Sequence, residues 1–119
     1  MSYVDGFVLP LPKKNLAEYR RISRAAGKVW REHGALEYRE CAGDDLSHPG
    51  VVPFTKIMKP KPGETVIFAW IVFKSRAHRD RVNAKVMKDP RMEKMMDPSK
   101  MVMNPRRMAY GGFKVLVDL

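Results

Sequence analysis

The chain has 119 residues, and its 23 Lys and Arg against 13 Asp and Glu give a formal charge of +10. With 45% apolar and 30% charged residues it has the composition of a folded chain rather than a disordered one, at the length of one ordinary domain spanning residues 1–119. No apolar run reaches the length of a membrane span, and the start MSYVDGFVLPLPKK lacks the basic and apolar regions of a signal peptide. The lone Cys41 can form no internal disulfide, so a reducing, cytoplasmic location without membrane attachment is expected.

YVDGFVLPL is rich in aromatic and β-branched residues and closes on prolines, which predicts a first strand over residues 3–9. NLAEYRRISRAAGKVWREHG follows as a helix, with Asn15 and Glu18 spaced as a capping box and Gly34 just past the end. At 3.6 residues per turn, Leu16, Tyr19, Ile22, Ala26, Val29 and Trp30 fall within an arc of roughly 140°. Arg20, Arg21, Arg24, Lys28 and Arg31 lie on the opposite side, so the helix is amphipathic with a basic outer face.

ALEYRECA predicts a second strand over residues 35–42, and the turn-rich GDDLSHPGVVPFTKIMKPKPG a long irregular excursion with a short edge strand near 54–59. In ETVIFAWIVFK, a strand over 64–74, Val66, Phe68, Trp70 and Val72 point one way and Ile67, Ala69, Ile71 and Phe73 the other. Both faces are apolar, and such a strand must be covered twice. SRAHRDRVNAKVMKD reads as a second helix over 75–89, capped by Ser75, with a thin stripe of His78, Val82 and Val86. PRMEKMM gives a further helical turn, and RMAYGGFKVLVDL a closing strand over 107–119 whose Gly111 and Gly112 mark a bulge or a close approach.

The order β, α, β, loop, β, α, β is that of an α+β, ferredoxin-like βαββαβ protomer, an antiparallel sheet with helices on one face. Two amphipathic helices cover one side of the doubly apolar strand, and a second copy of the chain is the economical cover for the other. The expected assembly is a homodimer pairing as a dimeric α/β barrel. YVDGFV, GALEYREC, DPRM and RMAYGGF, taken in order, resemble the YbaA-like uncharacterised family of the dimeric α/β-barrel superfamily. The resemblance covers nearly the whole chain and implies that same fold and homodimer, with no activity attached. It departs where MNPRRM stands in place of the Phe-Asp-Gly-like turn usual before the last strand.

Within the barrel the expected role is binding of a small organic ligand, with Tyr3, Asp5, Glu40, Phe68, Trp70, His78 and Tyr110 as pocket candidates. A cofactor-free, monooxygenase-like enzyme is a variant of that reading, carried by the superfamily resemblance alone. Asp5 and Glu40 interrupt strands, where a charge is costly unless paired, and Arg39 and Arg107 are the expected partners. Asp44 is a further carboxylate of the same kind, and Cys41 lacks a base beside it in sequence. The alternative from another class is an RNA-binding accessory protein using Arg20, Arg21, Arg24, Lys28 and Arg31 on the outer face of the first helix, where Lys and Arg neutralise phosphates. Against it, Glu18 and Glu32 border that face and no aromatic residue is interleaved for stacking.

His33, His48 and His78 are too scattered for a metal cluster, and no metal is expected. In haem-degrading enzymes of the superfamily a strand Trp and a helix His flank the haem. Here the Trp70 to His78 spacing differs and Asp5 stands where those enzymes have Asn, so neither haem nor another cofactor is expected. His78 itself reads as a half-buried histidine held by a backbone carbonyl. The methionines at 92, 95, 96, 101, 103 and 108 suit either a binding groove or irregular gaps in a core, and Pro90, Pro98 and Pro105 interrupt any long helix there, which favours gap filling.

Overall fold

Side chains alternate along each strand, and that alternation builds the sheet from β1 (Tyr3–Pro12), β2 (Glu37–Ala42), β3 (Glu64–Phe73) and β4 (Ala109–Lys114). The computed structural model describes residues 2–119. All pairings are antiparallel, in the order β2-β3-β1-β4. The fold is thus a mixed α+β arrangement, consistent with the ferredoxin-like expectation. The long β1 and β3 run side by side in the middle, Tyr3 opposite Phe73 and Pro12 opposite Glu64.

Two helices, α1 (Leu16–Glu32) and α3 (Arg76–Met87), lie against one face. The core beneath them joins Tyr3, Ile71 and Phe73 of the sheet to Val29 of α1 and to Val82 and Val86 of α3. Met92 of α4 (Pro90–Met95) closes it. A smaller cluster of Leu9, Leu11 and Ile67 sits under the start of α1, with Leu16, Tyr19, Met103 and Met108 packed around it. Four of the methionines therefore do fill gaps: Met92 and Met95 in the main core, Met103 and Met108 in the smaller one. Met96 and Met101 are exposed.

Sequence expectation and structure part at several places. Residues 54–58 form a short helix, α2 (Phe54–Met58), instead of an edge strand: Pro53 sets an extended lead-in, and Lys59 ends the turn in the left-handed region at φ 47°. Asn15 does not cap α1, since its side-chain amide reaches the Val102 carbonyl at 3.1 Å, and Glu18 pairs with Arg21. Gly34, at φ +117°, does supply the left-handed step after the helix. The second helix ends at Met87, because Asp89 caps α4 and Pro90 opens it. β4 covers 109–114 rather than 107–119, residues 105–107 being a helical turn. No bulge interrupts the β1 to β4 register at the glycine pair. Gly112 is instead a close approach, since a Cβ there would lie 2.4 Å from the Tyr3 hydroxyl.

The opposite face of the sheet presents Val4 and Val8 of β1, Val66, Phe68, Trp70 and Val72 of β3, and Phe113 of β4. Phe54 of α2 packs edge-on against Phe68 with ring centroids 5.8 Å apart. Phe68 remains 42% exposed and Phe113 62% exposed. Val66, next to Phe68 on that face, is buried.

Candidate functional site

The pocket candidates do not converge on one site. Tyr3, Asp5, Glu40 and Tyr110 stand on the helix side of the sheet, whereas Phe68 and Trp70 stand on the open side. The Trp70 indole donates to Glu37 at 2.9 Å, and Arg39 stacks over its ring at 5.9 Å. His78, at the start of α3, packs edge-on against Phe73. Its Nδ1 accepts from the Lys74 backbone N–H at 3.0 Å, a donor in place of the expected carbonyl. Burial, then the nearby charges of Lys74, Arg81 and Lys85, hold its pKa below the usual value.

The expected partners of the strand carboxylates are wrong. Arg107 reaches Glu64 through both Nη atoms at 2.8 Å, and Arg39 lies 3.5 Å from Glu37. Asp5, 1% exposed, pairs with Arg79 of α3 at 2.8 Å, and Arg79 also donates to the Tyr110 hydroxyl. The Arg79 guanidinium lies 5.0 Å above the Tyr3 ring. Asn83 donates to the other Asp5 oxygen at 3.4 Å and accepts from the Trp30 indole at 3.0 Å. Sequence reading found Asp5 but not Arg79 or Asn83, which sit one turn apart on α3 among many other charges and so carry no local mark.

Glu40 has a different environment. β2 aims it toward α1, where one oxygen accepts from the Tyr19 hydroxyl at 2.5 Å and the other from the Tyr38 hydroxyl at 2.7 Å. Burial first, and then the Glu40 charge beside them, pushes both phenols well above their ordinary pKa. They remain protonated donors across the ordinary pH range. The tight fit depends on Gly27 of α1: a Cβ there would lie 2.6 Å from the Tyr38 ring.

This trio borders two hollows. The inner one, about 140 Å³, lies under α1 among Phe7, Leu9, Trp30, Ile71, Met103 and Met108, with Ala69, Trp70 and Ile71 as consecutive residues of its β3 wall. The outer one is an open groove of about 830 Å³ between α1 and β2. Leu16, Ala42 and Ile67 give it an apolar floor, while Arg20, Arg24, Lys28 and Arg31 line its helical side. Tyr19, Tyr38 and Glu40 line both. The basic residues singled out for RNA are thus in part the rim of a groove. Arg21 is bound to Glu18, and Arg31 donates to the carbonyls of Ala35 and Leu36. Arg20, Arg24 and Lys28 are exposed and form no ion pair among the described residues. Cys41 is a half-buried free thiol at the groove edge, and Asp44 is exposed in the following bend. His33 and His48 are held far apart in sequence by Asp89 and Asp45. Among the described residues no group of His, Cys, Asp and Glu is placed to hold a metal ion, and no helix is long and apolar enough to cross a membrane.

A family pattern described as "Protein of unknown function (DUF1428)" matches residues 2–105. The chain belongs to that family. Its relatives bear this out: "Uncharacterized protein YbaA" of Escherichia coli strain K12 is 37% identical over 118 residues, covering 99% of both chains. The proteins of the same name from Escherichia coli O157:H7 and Shigella flexneri are similar to the same extent. The YbaA-like resemblance read from four short segments therefore holds along the whole chain. Membership in the DUF1428 family brings no activity with it, so the chemistry has to be argued from the hollows themselves.

Proposed function

We propose that this protein binds a small organic molecule between α1 and the sheet, as a homodimer of ferredoxin-like protomers. The observation that supports binding is the Tyr19, Glu40 and Tyr38 trio standing between an apolar inner cavity and an open groove. Ligand sites are mostly apolar hollows with a few placed polar groups, and a cavity near 150 Å³ is roughly the size that takes one aromatic ring. Glu40 is the group able to accept a hydrogen bond from a ligand hydroxyl there. Its two tyrosines orient it, and the groove gives access from solvent.

The homodimer is supported by the open sheet face, where Phe68 and Phe113 stand exposed beside Val4, Val8 and Val72. Large aromatic side chains each bury on the order of 150–250 Å² when covered, at about 25 cal/mol per Å². A two-fold pairing lets this patch cover its own copy, and a free thiol in the chain suits the cytoplasm. Light scattering across a dilution series tests the dimer: wild-type chains that stay folded and monomeric at micromolar concentration defeat it, and Phe68→Asp should give monomer or aggregate. Titration with p-cresol, followed through the fluorescence of Trp30 and Trp70, which both line the hollow, tests the cavity. Saturable binding that disappears in Ala69→Leu, which fills the hollow, is the expected result; binding unchanged in that variant, or none in the wild type, refutes it.

A further inference from the structure

We infer that the ligand of this site is an amphiphilic anion, an apolar body of one or two rings carrying a single carboxylate or phosphate, with the negative group held by Arg20, Arg24 and Lys28. This rests on the ligand reading above and adds the chemical class. Three cations recur at every fourth residue of α1, which stacks them along one side of the groove. Their neighbours on the helix are already engaged, Arg21 by Glu18 and Arg31 by the carbonyls that end the turn after α1. Arg20, Arg24 and Lys28 are left to the groove.

Below the cations the floor is apolar and the helix side is shallow. Ser23 and Gly27, small and buried, face the groove between the charged residues, so a ring can lie against the helix with Leu16, Ala42 and Ile67 beneath it. Glu40, at the inner wall, carries the opposite charge requirement. An anion is repelled there and attracted at the rim, which fixes which end of an amphiphile enters first: apolar body toward the trio, charged group toward solvent. Arginine matches a carboxylate or phosphate with two parallel N–H groups, and the partly apolar surroundings strengthen the pairing relative to open solvent.

A polynucleotide fits the same cations less well. Tyr19 and Tyr38 line the groove, but both are half-buried with their hydroxyls bonded to Glu40, so neither ring stands free on the outer helix face for successive bases to stack on. Glu32, one turn beyond Lys28, lines the same groove and is paired with Arg91, so the cationic row ends there: an extended phosphate backbone would run onto that carboxylate, whereas a single anionic group sits before it.

The test is calorimetric titration of the full chain with 2-naphthoate, 2-naphthyl phosphate and neutral 2-naphthol at low salt. An Arg20→Gln, Arg24→Gln, Lys28→Gln triple variant, checked for folding by circular dichroism, runs beside the wild type. At least one anion should bind about tenfold more tightly than naphthol, the sum of several exposed charge pairs. The variant should lose that preference while keeping naphthol binding, and raising salt to about 0.5 M should shrink the preference in the wild type. Which of the two anions binds better identifies carboxylate or phosphate as the source. Equal affinity for anion and alcohol, a preference that survives in the variant, or no binding of either anion overturns the inference. So does a single-stranded RNA that displaces naphthoate and whose affinity falls steeply with salt through the same residues. Cresol and naphthol binding without anion preference removes this inference and leaves the cavity reading standing; loss of both neutral probes removes the cavity reading itself.

Discussion

The two halves of the molecule each carry one carboxylate on the helix side of the sheet, and they treat it in opposite ways. In the half built on β1 and α3, Asp5 meets the guanidinium of Arg79, with Asn83, Trp30 and Tyr110 completing the hydrogen bonds. In the half built on α1 and β2, Glu40 meets only the hydroxyls of Tyr19 and Tyr38. The first arrangement neutralises a charge that is fully buried and closes the space around it. The second leaves the negative charge without a bonded cation, next to a hollow and a groove. A charge matched inside the protein can only hold the fold together, whereas one matched only by hydroxyls still has something to offer a ligand.

Removing a partner should separate the two most sharply. Arg79→Met leaves Asp5 buried and unpaired, a loss of about 3–5 kcal/mol in urea unfolding. Adding Asp5→Asn to that variant should restore a good part of it, because the uncompensated charge is then gone. An Arg79→Met cost below about 1 kcal/mol would mean that Asp5 is not the buried anchor described above.

Gly27→Ala comes next. The new methyl group would meet the Tyr38 ring at 2.6 Å and drive it off Glu40. Overpacking costs about 1–3 kcal/mol, and the helix gains back about 1 kcal/mol from losing a glycine, so a modest net destabilisation is expected. Stabilisation in urea unfolding would show that the Tyr38 ring has room to move and that the trio is loosely held.

Glu40→Gln should have a smaller effect, about 1 kcal/mol, since the amide can accept from one tyrosine and donate to the hydroxyl oxygen of the other. The same measurement decides it. A cost equal to that of Arg79→Met would make Glu40 a structural charge like Asp5 and erase the contrast between the halves.

The sequence carried the sheet and both long helices because strands and helices are written in local periodicities: alternation in ETVIFAWIVFK, an apolar arc on the first helix, and Ser75 before the second. It also separated the faces of β3 correctly, so that the exposed Phe68 and the buried Phe73 fall on opposite sides. The site was less legible, for a physical reason. Glu40 and Asp5 stand out as charges inside strands, but their partners come from elsewhere in the chain: Tyr19 lies 21 residues from Glu40, and Arg79 lies 74 from Asp5. Among so many cations, proximity in sequence pointed to Arg39 and Arg107, which serve Glu37 and Glu64 instead. Gly27 was passed over because a glycine inside a helix has no local signature until the ring packed against it is known. The short α2 was misread because the apolar spacing of FTKIM fits one turn of helix as well as a short strand.

A third carboxylate shows how a carboxylate behaves when a cation is bonded to it. Arg107, its fork on both Glu64 oxygens, and the Lys61 backbone N–H hold the Glu64 carboxyl down from the ordinary 4.5 to about 2. A carboxyl with a depressed folded pKa contributes stability that is fully present above its unfolded value and is lost as pH falls through the folded one. The Glu64 contribution should therefore fade between pH 4.5 and 2. Asp89, lowered by Arg91 and His33, fades in the acid range as well, so the wild-type slope alone cannot be assigned to one pair. Arg107→Gln separates them: it returns Glu64 toward its ordinary value and leaves Asp89 untouched. The variant should lie below the wild type near pH 6, and the two curves should draw together as pH falls toward 2. Urea midpoints at closely spaced pH values measure both, and parallel wild-type and Arg107→Gln curves across this window would rule out the Glu64 pair as a source of acid sensitivity.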